Sequence, residues 1–250
     1  MREISFTSAA GSELRACIWT PPSAVTPCAV LQIVHNFAED VARYADFAEQ
    51  MTRRGYIVCA HSQFAPISPN AHDALAKDVF ALTEIAKKQY SLPIILVGVG
   101  TGSLVARYAV SLWGIEYSGA IFVGSMQCRN AFNFLQRRLS VARLINRKEN
   151  RGAWQTMLTL ARIVNYGTWL DKIPKNLPIY LLSGLNDPVG GMGRGIIQLY
   201  SVLENSGCAY VGIRLQEDVG HDVLFCENMQ EVYDELTVWL DENVLNPKEV

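Results

Sequence analysis

The chain has 250 residues, of which 50% are hydrophobic and 18% charged, with a net charge of −2. That is enough apolar material for one large domain with a buried core, and it excludes a disordered chain. No apolar run approaches the ~20 residues needed to cross a bilayer.

Residues 3–7 and 14–19, separated by Ala-Ala-Gly-Ser, read as an antiparallel hairpin. The charged, alternating start is unlike a signal peptide, which predicts a cytoplasmic chain. After a proline-marked loop, residues 28–35 are almost wholly apolar, as in a strand covered on both faces. Residues 41–54 have helical spacing, with Tyr44, Phe47 and Met51 on one side, and Gly55 stops them. Residues 56–60 form the next buried strand. Residues 71–89 form a helix with Leu75, Val79, Leu82 and Ile85 inward.

A third buried strand begins at Ile94. It runs through glycines at alternate positions, Gly98, Gly100 and Gly102, directly into an amphipathic helix. Such spacing lets a helix start close against a sheet. Strands over 119–123, 178–182 and 210–215 follow, with helices over 193–205 and 229–243. Strands alternating with helices predict an α/β fold: a mostly parallel sheet with helices on both faces and an antiparallel N-terminal hairpin.

Two features vary along the chain. The segment 127–176 holds ten Lys/Arg against Glu149 and Asp171, a local balance of +8, leaving 12 basic and 22 acidic residues elsewhere. It reads as a basic helical lid inserted into a core formed by 1–126 and 177–250, with Phe132, Leu135, Leu139, Ala142 and Ile145 at helical spacing. The six cysteines (17, 28, 59, 128, 208, 226) contain no C-x-x-C pair and read as reduced thiols. No metal or cofactor is expected, and no nucleic-acid partner; the oligomeric state is not legible.

Ligand sites in open parallel sheets lie at the carboxyl ends of the strands. Two of those ends carry an acid and a base, Asp187 after the 178–182 strand and His221 after the last. A glycine-rich strand-to-helix turn, then an acid, then a histidine is the chain order of an α/β-hydrolase triad. In that chemistry Asp187 fixes the imidazole tautomer and His221 moves the proton.

The chain resembles the monoacylglycerol lipase and lysophospholipase branch of the α/β-hydrolases, which includes serine aminopeptidase-like proteins. His35-Asn36-Phe-Ala-Glu39, followed by Arg43-Tyr44 and Phe47-Ala48, is similar to that branch's His-Gly-x-x-Glu-His…Arg-Tyr-x-x-Phe-Ala. Further likeness lies in Arg54-Gly-Tyr-Ile-Val-Cys-Ala-His61 and in Leu177-Pro-Ile-Tyr-Leu-Leu-Ser-Gly184-x-x-Asp187-Pro-Val-Gly. Gly193-x-Gly-Ile-Ile-Gln-Leu-Tyr200, the His221 region with Glu227-Asn228, and Trp239-Leu240 extend it over most of the chain. The resemblance implies an α/β-hydrolase fold with a short helical lid, a carboxylic-ester hydrolase by ancestry and an acyl or lipid-like ligand. It assigns Asp187 and His221 as triad acid and base, and the backbone N–H groups of Phe37 and Thr101 as the oxyanion hole.

The departures from that pattern gather at the site. Gly100 stands where the branch has its nucleophilic serine, Val99 where it usually has histidine, and Asn36 where it has the oxyanion-loop glycine. Residues 61–66 replace a stretch that normally reads close to Asp-x-x-Gly-His-Gly. Thr101 should point away from the turn's apex, Ser103 should serve packing, Cys226 should belong to the core, and no spacing ties Ser62 or Ser125 to His221. The expectation is a hydrolase-like pseudoenzyme that keeps its fold and an acyl or small-molecule pocket. Two alternatives stay open: an ester hydrolase using Asp187 and His221 with another nucleophile or water, and a protein that contacts an anionic membrane or partner through 127–176.

Overall fold

The computed structural model describes residues 1–36, 39–63, 71–125 and 167–247. Eight strands form one sheet: β1 (Arg2–Thr7), β2 (Glu13–Trp19), β3 (Ala29–Val34), β4 (Tyr56–His61), β5 (Ile94–Val99), β6 (Gly119–Val123), β7 (Ile179–Gly184) and β8 (Val211–Gln216). Their spatial order is β1-β2-β4-β3-β5-β6-β7-β8. β2 pairs antiparallel with both β1 and β4, and the other pairings are parallel. The expected α/β-hydrolase architecture is thus present, with its N-terminal hairpin at one edge.

Parallel strands need crossovers, and these supply the helices α1 (Ala45–Arg53), α2 (Ala71–Tyr90), α3 (Gly102–Trp113) and α4 (Arg194–Asn205), while α5 (Met229–Leu240) follows the last strand. β3, β4, β5 and β7 are buried at every residue, which is why their sequences are apolar without alternation. One sheet face packs on α2, α3 and α4 through Leu75, Val79, Leu104, Val105, Leu199 and Leu203. The other packs on α1 and α5 through Phe47, Met51, Val232, Tyr233 and Leu236. Gln32 is the polar exception inside β3. Its amide donates to Val79 O (2.7 Å) and accepts from Thr83 (2.8 Å), so both polar atoms of the buried amide have a partner.

Three expectations shift in detail. The helix expected over 41–54 begins as a 3-10 turn, Val41–Tyr44, because the Asp40 side chain caps Ala42 N and closes the turn tightly. The last helix ends at Leu240 and widens into a π-turn, Asp241–Leu245, closed by Asn246 N donating to Asp241 O (2.8 Å). Ile85 is only half-buried, and Ala86 faces the core instead.

The five described cysteines are free thiols, with Cys59 and Cys208 buried. Residues 126–166 lie outside the described residues, and with them most of the expected lid and its basic surface. Its last part is a 3-10 turn, Gly167–Lys172, after which Ile173, like Leu170 within it, is buried in the core. Among the described residues, no helix is long and apolar enough to cross a membrane.

Candidate functional site

β5 ends at Val99 and α3 begins at Gly102, so two residues turn the chain from sheet to helix. A Cβ on Gly102 would run into the carbonyl oxygens of Val34 and His35. One on Gly98 would lie 2.6 Å from Ser103 Cα and 2.7 Å from Ala106 Cβ. Both glycines are steric conditions for seating α3 against β3 and β5. Gly100 differs in kind. Its φ is +55°, a left-handed conformation that strains any residue with a side chain. Its N–H donates to Val123 O (2.8 Å), and its carbonyl accepts from the Ser103 hydroxyl (2.6 Å) and amide (3.2 Å). A Cβ there would fit tightly, meeting His221 Nε2 at 3.2 Å and the Asn36 side chain at 3.4 Å, so these side chains would have to give by a few tenths of an ångström.

The acid and the base meet as the sequence predicts. Asp187, fully buried in the loop after β7, accepts from Val189 N at Oδ1 (2.8 Å) and from His221 Nδ1 at Oδ2 (2.9 Å). The two loops are tied by Asn186 N donating to Val219 O (2.9 Å). A carboxylate can only accept, so Nδ1 carries the hydrogen and Nε2 faces Gly100. Asp187 is the one hydrogen-bond partner of this ring among the described residues. The hydrogen bond to Asp187 raises the imidazole above its ordinary pKa; burial opposes this, while the charges of Asp187, Asp222 and Glu39 reinforce it.

Gly124, at a strand end where ligand sites are expected, lines the site although the sequence reading gave it no role. It also has a left-handed φ, +56°, and a Cβ there would lie 3.1 Å from His221 Cε1. The imidazole therefore occupies a slot between two glycines at the ends of β5 and β6. The sequence signal is a glycine directly after the apolar strand 119–123.

Asn36 and Thr101 meet beside the turn. Contrary to expectation, the Thr101 hydroxyl does not point away; it donates to Asn36 Oδ1 (2.6 Å). A glycine at 36 would offer no such acceptor. Phe37, the other expected oxyanion donor, lies outside the described residues. Ser103 and Ser125 are buried and share a hydrogen bond (2.9 Å), which is a packing role. Ser62 is exposed, and Cys226 is half-buried against the core face that carries α1 and α5. The site therefore presents an oriented base facing a residue without a side chain. Such a pair can exchange a proton with a bound molecule, and position 100 contributes no hydroxyl or thiol for covalent attack. No three His, Cys, Asp or Glu side chains gather as a metal site among the described residues.

His61, at the end of β4, is buried edge-on against Phe6 (5.6 Å), and neither ring nitrogen has a hydrogen-bond partner among the described residues. Burial, with the charge of His35 adding, lowers its pKa from 6.5 to about 3. The folded ring stays neutral where the unfolded one binds a proton. Stability should then fall by ~1.4 kcal/mol per pH unit as pH drops from 6.5 toward 3. Urea unfolding of a His61→Phe variant should show a visibly flatter acid limb; an unchanged limb would contradict this.

Solved structures share the fold over nearly the whole chain. A thermostable carboxyl esterase from Bacillus coagulans in complex with glycerol aligns with a TM-score of 0.78 and 21% identity, covering 98% of each chain. A lipase in its open form gives 0.80 and 20%, covering 98% of this chain and 99% of that one. A soluble variant of monoglyceride lipase from Saccharomyces cerevisiae, in complex with a substrate analogue, gives 0.71 and 13%, covering 99% and 96%. At these identities the likeness establishes the fold alone. No curated protein matches the sequence. The family Hydrolase_4, described as serine aminopeptidase, S33, matches residues 25–149, half of the chain. With the sheet order and strand-end loops above, that match assigns the chain to the Hydrolase_4 (serine aminopeptidase, S33) family.

Proposed function

We propose that this chain is a member of the family, akin to its monoacylglycerol lipase and lysophospholipase branch, that has lost serine hydrolysis and keeps the site to bind an acyl or other small molecule. The observation that carries this reading is the pairing of His221 with Gly100. The imidazole is oriented by Asp187 and aimed at the turn, 3.2 Å from where a side chain at position 100 would begin. The hydroxyl that would form an acyl-enzyme is absent.

Chemistry without that oxygen is slow. A triad stripped of a member retains only ~10³–10⁴-fold acceleration over water, supplied by binding and oxyanion donors. Relief of strain at φ +55° gives an independent reason for glycine at this position once attack is no longer required. The pair Asp187–His221 persists because it has a structural use: it satisfies a buried carboxylate.

Intact-protein mass spectrometry after incubation with a fluorophosphonate probe tests the reading. The wild-type protein should gain no adduct. A stoichiometric adduct that His221→Gln prevents would overturn the proposal.

A further inference from the structure

Asp222, the residue after His221, and Thr101, the residue after Gly100, are the two ends of a chain of polar contacts that bypasses the Asp187–His221 pair. The Arg43 guanidinium contacts Asp222 Oδ2 (2.9 Å) with one terminal nitrogen and Glu39 Oε1 (3.3 Å) with the other. Glu39 Oε2 accepts from the Tyr44 hydroxyl (2.6 Å), and Asn36 Nδ2 lies 3.5 Å from Glu39 Oε1. Asn36 in turn accepts from Thr101. Arg43 also lies over the ring of Phe225 (4.5 Å), and Tyr44 meets that ring edge-on (5.4 Å), so the histidine loop is gripped at two points.

We propose that Arg43 is the positioning residue that registers the imidazole of His221 over position 100. The inference rests on the reading of position 100 as a former nucleophile site. The fork of a guanidinium can span two carboxylates at once, whereas an ammonium is a point charge. The Arg43 and Asp222 side chains are 38% and 56% exposed, so their pairing contributes little to global stability. Its consequence is geometric. It fixes the loop after β8 to the loop after β3, and thereby the separation between Nε2 and the turn.

The charged groups that act on the imidazole are Asp187, Asp222 and Glu39, and Arg43 pairs with the last two; Glu217, Asp218 and Glu227 line a cleft of about 400 Å³ beside the same loop. Arg43 is the cation among these named groups. Removing it leaves the carboxylates unopposed and drives the imidazole's titration further upward.

The test has two arms. NMR titration of His221 in the wild-type background should move upward in Arg43→Ala, downward in Asp222→Asn, and stay close to wild type in Arg43→Lys, which keeps the charge. In a G100S background, fluorophosphonate labelling should slow about 100-fold in both Arg43→Ala and Arg43→Lys, since a displacement near 1 Å can cost that much. A His221 titration in Arg43→Ala that superimposes on wild type would overturn the proposal and leave Arg43 a surface contact. So would full-rate labelling of G100S combined with Arg43→Lys. Should G100S itself remain unlabelled, the former-nucleophile reading fails instead, and the titration arm still decides whether Arg43 acts on His221.

Discussion

The G100S variant should be labelled by a fluorophosphonate probe and should hydrolyse short acyl esters, where the wild-type protein does neither. A side chain at position 100 would begin 3.2 Å from His221 Nε2, so its hydroxyl falls within hydrogen-bond reach after a shift of a few tenths of an ångström. The base is already oriented by Asp187. The substitution should also cost ~1–3 kcal/mol of stability, because serine must adopt φ near +55°. Activity should stop short of a proficient esterase, since Asn36 fills space beside the turn where the resemblance implies glycine. Adding Asn36→Gly should raise the rate by up to ~10², the scale of one oxyanion-hole donor. A folded G100S protein inert to both reagents would contradict the proposed ancestry of the site.

His221→Ala should destabilise the fold by ~3–5 kcal/mol in urea unfolding at pH 6. Asp187 is fully buried, and among the described residues the variant would leave its side chain with the Val189 N–H alone, a buried carboxylate without its partner. The sign with pH follows from the raised pKa of His221. The part of the pairing that depends on the imidazolium is fully present below the unfolded value of 6.5 and is lost as pH climbs through the higher folded value. The penalty for His221→Ala should therefore shrink toward alkaline pH. A cost below about 1 kcal/mol at pH 6 would mean the pair contributes nothing to the fold, and its retention would need a functional reason.

Much of this was legible from residues alone. β3, β4, β5 and β7 announce themselves because strands covered on both faces cannot carry exposed polar positions. Asp187 and His221 could be paired because both follow strands, and strand ends of a parallel sheet converge. The contacts that tune the pair could not. Thr101 and Asn36 are 65 residues apart, and nothing local foretells that one hydroxyl turns toward the other's amide. Arg43 and Glu39 look like an ordinary pair one helical turn apart until the fold brings Asp222 beside them. Gly124 reads as a loop glycine until the imidazole is seen against it. His61 opens the 61–66 stretch that departs from the family pattern, and its residue type does not foretell that β4 buries it fully.

Ester turnover by the wild-type protein reads out directly whether position 100 lacks the chemistry. Initial rates with p-nitrophenyl butyrate should match those of His221→Gln, both near the rate without protein. Wild-type turnover clearly above that baseline, and abolished by His221→Gln, would show that the dyad still drives hydrolysis.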